Sequence, residues 1–136
     1  MKVVAIIART FLGLVFFIFG LNGFFNFLHG PLPPGDAGAF AGVLMRSHYV
    51  WLVAGTQVVA GALLLLNRYV PFALVLSAAV IVNILTFHAA MAPGSIWMGI
   101  VVAILWAILA IRFRAYFSQL FTQKIVDEPK RKIVIA

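Results

Sequence analysis

The sequence predicts an all-α, polytopic membrane protein: a bundle of four transmembrane helices with a short amphipathic outer helix between the first and second. Three observations carry that prediction. Of 136 residues, 65% are hydrophobic and 10% charged, with a mean hydropathy of +1.14. A soluble domain of this size leaves about a third of its surface in water, too much to hide such a composition, so a soluble enzyme is excluded. The same figures exclude disorder for the body of the chain, which needs few apolar residues and dense charge. Second, the long uncharged runs have the length of membrane crossings, about 20 residues each. Third, the basic residues mark the ends of those runs rather than a face, so the net charge of +7 points to lipid head groups and not to nucleic acid.

The first span is Thr10 to about Leu28, preceded by Lys2 and Arg9. Its apolar run exceeds a secretory signal core and ends in Asn26-Phe27-Leu28-His29 without a small-residue cleavage site, so it reads as a retained span. Pro31-Leu32-Pro33-Pro34-Gly35 then excludes helix. Asp36 is placed as the N-cap of a short helix carrying Phe40, Val43 and Leu44 on one side, lying on the outer surface of the bundle. Tyr49 to Leu66 forms the second span. The uncharged run from Arg68 to Arg112 is too long for one crossing and is divided by Ala92-Pro93-Gly94-Ser95. This places the third span near Tyr69 to Met91, with Pro71 in its first turn, and the fourth near Ile96 to Phe113, capped by Ser95. Phe113, Phe117, Leu120 and Phe121 keep helical spacing beyond it and predict an interfacial extension. The domain division is therefore residues 1–121 for the transmembrane unit and 122–136 for a basic, flexible cytoplasmic tail.

Two basic residues precede the first span, one lies at the Asn67-Arg68 turn, and six lie from Arg112 onward in the C-terminal segment, against Arg46 alone on the other side. Nine against one places both termini in the cytoplasm of an inner-membrane, multi-pass protein.

No catalytic signature appears: no paired carboxylates, no nucleophile and base at a supporting spacing, no phosphate loop, and no haem or zinc motif. The absence of cysteine removes thiolate metal sites and thiol redox chemistry from the chain. The only acids, Asp36, Asp127 and Glu128, lie outside the spans, which argues against a proton pump or ion-coupled transporter. His29, His48 and His88 fall near the outer boundary without a spacing that would assemble a metal site.

The informative residues are amides within spans. An amide in hydrocarbon without a partner costs several kcal/mol, so Asn22, Asn26, Gln57 and Asn83 are expected to face the bundle. From a rise of about 1.5 Å per residue, Asn22, Gln57 and Asn83 lie about 18 to 20 Å above the inner boundary, at one level on three helices. Small and hydroxyl residues flank them: Ala54 and Gly61 beside Gln57, and Ala79, Thr86 and Ala90 beside Asn83. Two readings follow. The layer either fixes helix register by interhelical hydrogen bonds, or lines a pocket for an oxygen-bearing apolar ligand such as a quinone, with His88 as a hydrogen-bond or proton partner at its outer end. The ladders Gly13/Gly20 and Gly99/Ala103/Ala107 predict close packing within the bundle, or alternatively a homo-oligomer.

The run Ala8-Arg9-Thr10-Phe11-Leu12-Gly13-Leu14-Val15-Phe16 with Gly20-Leu21-Asn22-Gly23, then Gln57 to Leu66, then Asn67-Arg68-Tyr69-Val70-Pro71 leading to Val82-Asn83-Ile84 and His88, resembles the DoxX family of small bacterial and archaeal membrane proteins. The resemblance extends over about residues 5 to 121. It implies a four-helix membrane bundle and an association with redox systems, since the family takes its name from a subunit of a thiosulfate:quinone oxidoreductase and some relatives are linked to oxidative-stress complexes. One departure is that relatives often carry Glu where this chain has Gln57, which removes an ionisable group from the membrane. The expected function is a membrane subunit or accessory factor of a redox system, with quinone as the candidate cofactor and a redox protein as the candidate partner. The alternative is a non-enzymatic scaffold or assembly factor that binds a partner protein through its helices. A passive solute pathway ranks below both, because no span carries a continuous polar stripe.

The topology has a direct test in this cysteine-free chain. In intact cells a membrane-impermeant thiol reagent is expected to label Gly35→Cys and to spare Thr122→Cys; the reverse pattern inverts the orientation.

Overall fold

The computed structural model describes residues 1–124, which form helices and contain no strand. The expected basic tail lies outside the described residues from position 125 onward. The helices are α1 (Lys2–Phe25), α2 (Asp36–Arg46), α3 (Val50–Leu65), α4 (Val70–Met91), α5 (Ile96–Arg112) and the short α6 (Arg114–Phe117). Single 3₁₀ turns at Pro93–Ser95 and Ser118–Phe121 precede α5 and follow α6. Three segments are long and apolar enough to cross a membrane: α1, α4, and Pro93–Arg112. A fourth is reached only when α2 and α3, which meet at 85°, are taken together. At 16 residues α3 alone spans about 24 Å.

The boundaries have local causes. α1 begins eight residues before the expected Thr10 because Arg9 sits inside the helix, its charge engaged by the end of α3: its Nη1 donates to the Leu64 carbonyl oxygen and, at 3.5 Å, to that of Leu65. Those carbonyls belong to the last turn of α3, where a cation complements the exposed acceptors and the helix dipole. The other end of α1 comes three residues early, at Phe25, because Asn26 adopts the left-handed conformation (φ 47°) and its N–H returns to the Asn22 carbonyl at 2.7 Å. Asn67 (φ 53°) ends α3 in the same way, with Arg68 N–H bonded to Leu63 O at 3.0 Å and Asn67 N–H to Leu64 O at 3.2 Å, a Schellman pattern. Two of the expected caps differ. Gly35 (φ 69°), not Asp36, occupies the N-cap of α2, which leaves the carboxylate in the first turn, where the helix dipole favours an anion. Ser95 precedes α5 but makes no capping bond, because its hydroxyl turns to His88.

Four helices form a ring in which α1 packs on α3, α3 on α4, α4 on α5, and α5 back on α1. The short turns at residues 66–69 and 92–95 make neighbours antiparallel, an up-down-up-down bundle. The tightest seam joins α1 and α3. A Cβ at Gly61 would lie 2.5 Å from the Phe17 backbone nitrogen, one at Gly20 2.7 Å from that of Val58, and one at Gly23 2.5 Å from the Ala54 Cβ. These pairs run antiparallel along the whole of α3, so the Gly13/Gly20 ladder is consumed inside the bundle. Gly99 likewise faces α4, where an added Cβ would sit 3.0 Å from Leu85 and 3.2 Å from Ile84.

Packing is uneven along the axis. The fully buried large side chains Leu12, Phe16, Leu64, Leu74 and Leu109 lie between mid-bundle and the end carrying Lys2, Arg9, Arg68 and Arg112. There Ser77 and the Trp106 indole N–H both donate to the Leu74 carbonyl, at 3.1 and 2.8 Å, tying α5 to α4. The opposite end, where α2 lies, holds the cavities.

Two substitutions test these contacts by unfolding in mixed detergent. Gly61→Val drives a side chain into the α1 backbone and is expected to cost about 3 kcal/mol or more, whereas Gly55→Ala, whose Cβ would meet only Phe24 at 3.8 Å, is expected to be neutral or to stabilise by up to about 1 kcal/mol. Arg9→Met removes the charged donor from the α3 carbonyls and is expected to cost about 2 kcal/mol. Equal effects of the two glycine substitutions would contradict the backbone seam.

Candidate functional site

At the α2 end two cavities flank the α3–α4 seam. The first, about 550 Å³, lies inside the ring and is lined by Phe16, Phe19 and Asn22 of α1, Asn26 just beyond its end, Trp51 and Gln57 of α3, Ile84 and His88 of α4, and Met98 and Val102 of α5. Met45 and His48, at the α2–α3 junction, also line it. The second, about 560 Å³, lies on the other side of the seam, under α2, among Phe40 and Leu44 of α2, Leu52, Val53 and Thr56 of α3, and Ala79, Asn83, Thr86 and Phe87 of α4. Gln57, Ile84 and His88 line both and form the partition between them. Volumes near 500 Å³ with apolar walls and a few polar groups are those of small-molecule sites.

The amides expected around one space are distributed over two. Asn22, Asn26, Gln57 and His88 reach the first cavity. Asn83 does not; it is exposed and lines only the second, and its Nδ2 donates to the Ala79 carbonyl of its own helix at 2.9 Å. That local bond engages one N–H of the amide without an interhelical partner. Asn22 is half structural: its Oδ1 accepts the Leu28 N–H at 2.7 Å and so completes the end of α1, while its Nδ2 makes no hydrogen bond among the described residues. Gln57, half-buried at mid-bundle, makes no side-chain hydrogen bond among the described residues.

His88 is set by its neighbours. Its Nδ1 lies 2.9 Å from Ser95 Oγ, and Ser95 Oγ also lies 3.2 Å from the Ala92 carbonyl. A hydroxyl has one proton; when it goes to Ala92, the ring donates from Nδ1 and Nε2 is an acceptor, and when it goes to the ring, Nε2 carries the proton. Either way Nε2 is the imidazole group left for the cavities. Free groups of the first cavity are thus the Asn22 donor, both ends of the Gln57 amide and His88 Nε2, a set that holds a carbonyl or hydroxyl.

His48, Met45, Trp51 and Met98 were not among the expected site residues. His48 sits in left-handed backbone (φ 60°) between two helices and stacks on Trp51 at 4.5 Å, and the pair lines the first cavity. The sequence signal was the i, i+3 His48/Trp51 pair beside a span start, which reads equally as an aromatic belt. His29 stays outside, its Nδ1 3.0 Å from the Phe27 carbonyl. Among the described residues no group of three or more His, Cys, Asp and Glu comes together in a way that would hold a metal.

No curated protein and no solved structure matches the chain. A family model does: that of DoxX, over residues 4–89, which takes in α1 to all but the end of α4 and therefore three of the ring's four helices. The matched region contains Asn22, Gln57, Asn83 and His88 and covers more than half of the length, and the chain accordingly belongs to the DoxX family.

Proposed function

We propose that this protein is a membrane subunit or accessory factor of a redox system and that its first cavity takes the head of an oxygen-bearing apolar ligand of the quinone class. The observation that carries the reading is Gln57: a half-buried amide in the middle of the bundle, at the wall of a cavity, with no hydrogen-bond partner among the described residues. An amide so placed costs free energy unless something supplies the missing bonds, and a ring bearing carbonyls or hydroxyls does so. Asn22 Nδ2 and His88 Nε2 are the companions that orient such a ring, and Phe16, Phe19 and Met98 are its apolar walls. These residues bind and position; electron transfer belongs to a redox partner protein. The excess of basic residues at one end supports an inner-membrane location with both termini in the cytoplasm.

The rival reading, a scaffold with only structural amides, draws on Asn22 Oδ1 and Asn83 Nδ2, both bonded within their own helical neighbourhood. Gln57 separates the two. Thermal unfolding of the full chain in detergent, with and without ubiquinone and menaquinone analogues, is expected to show ligand-dependent stabilisation of about 2.7 kcal/mol at a hundred times the Kd. Gln57→Leu is expected to weaken that ligand about tenfold without lowering the basal stability, while Asn83→Leu leaves the affinity unchanged. No stabilisation of the wild type by either quinone, with Gln57→Leu less stable than the wild type, would remove the ligand reading.

A further inference from the structure

Although the two cavities have nearly equal volumes, they differ in what they offer a ligand. In the first, the Asn22 donor, the Gln57 amide and His88 Nε2 are free. In the second, the three polar side chains that line it alone within α3 and α4 are turned back on their own helices: Thr56 Oγ1 donates to Leu52 O at 2.9 Å, Thr86 Oγ1 to Val82 O at 2.8 Å, and Asn83 Nδ2 to Ala79 O at 2.9 Å. Apart from Tyr49 and the shared Gln57 and His88, the rest of its wall is apolar, and such a wall suits a hydrocarbon guest. It also opens sideways: Leu52 (63% exposed) and Asn83 stand at its edge, on the face of the α3–α4 pair turned away from the ring. In a membrane protein with this bundle, that face meets lipid.

We infer that the second cavity holds the aliphatic tail of a ligand whose polar head occupies the first, the molecule passing through the α3–α4 seam at Gln57, Ile84 and His88. The ligand is then a tailed amphiphile that enters from the bilayer, not a water-borne solute. The seam permits it because it is sealed differently along its length: Ala60, Leu64, Ala73 and Leu74 close it completely towards the basic end, whereas at the α2 end only three side chains stand between the cavities. α2 roofs the tail site through Phe40, which meets Phe87 at 5.9 Å between ring centroids. This inference rests on the quinone-class reading of the first cavity, and the experiment separates their failures.

The full chain in nanodiscs of one lipid composition is titrated with decylubiquinone and with the same benzoquinone lacking the alkyl tail, for wild type, Ala79→Trp and Leu52→Trp. Both substitutions fill the second cavity from its exposed edge, and the unliganded melting temperature of each variant reports folding; either folded variant suffices. Partition into lipid is common to all three proteins, so each probe is compared only with itself. The expected result is a tenfold or greater loss of decylubiquinone affinity in the variants, with the tailless probe within twofold of wild type. Unchanged decylubiquinone affinity, or equal losses for both probes, overturns the tail site while leaving the first cavity standing. Absence of binding of either probe to the wild type overturns both.

Discussion

The structure depends on the approach of α1 to α3 at backbone distance. Inside a bilayer, apolar side chains gain nothing by leaving lipid for one another, so helices associate through close van der Waals packing and hydrogen bonds. Gly20, Gly23 and Gly61 supply the packing, since any side chain at these positions would overlap the facing helix. Arg9 supplies the hydrogen bonds, reaching the Leu64 and Leu65 carbonyls. A helix of 16 residues, short for a span, is thereby held along its full length against one of 24.

That seam sets the rest of the bundle. With α1 and α3 in contact at mid-depth, α4 and α5 fill the opposite side, and the large residues Leu12, Leu64, Leu74 and Leu109 interlock at the basic end. Towards α2 the same ring is lined by residues that do not interlock: half-buried amides, imidazoles, Met98, and phenylalanines with exposed edges. Space is left there because amides and imidazoles keep part of their surface available to partners outside the protein, whereas branched aliphatic chains fill each other's gaps. Close packing and cavities thus lie at opposite ends of one bundle, and the packed end holds the cavity walls in place.

The polar side chains divide by where their hydrogen bonds go. Thr56, Asn83 and Thr86 return to carbonyls of their own helices, and Asn22 gives one end of its amide to the close of α1. Such local bonds remove the cost of a polar group in hydrocarbon without recruiting a neighbouring helix. Gln57 has a longer side chain and a helix interior position without such a bond, which leaves its full capacity to the cavities.

Composition and spacing alone determined the membrane class, the all-helical architecture, the positions of the apolar helices to within a few residues at most ends, and the small-residue ladders, because these follow from lengths of uncharged chain and from the 3.6-residue period. Arg9 inside α1, the left-handed ends at Asn26 and Asn67, and the bond of Ser95 to His88 depended on partners far along the chain or on backbone conformations that residue type only permits. The amides show the boundary most clearly. Their place along each helix is a count of residues and can be read from the sequence. Which cavity each one faces cannot: that is decided by helix rotation within the ring and by whether an oxygen of the same helix lies within reach. Asn83 therefore parts from Asn22, and Gln57, between two cavities, is shared by both.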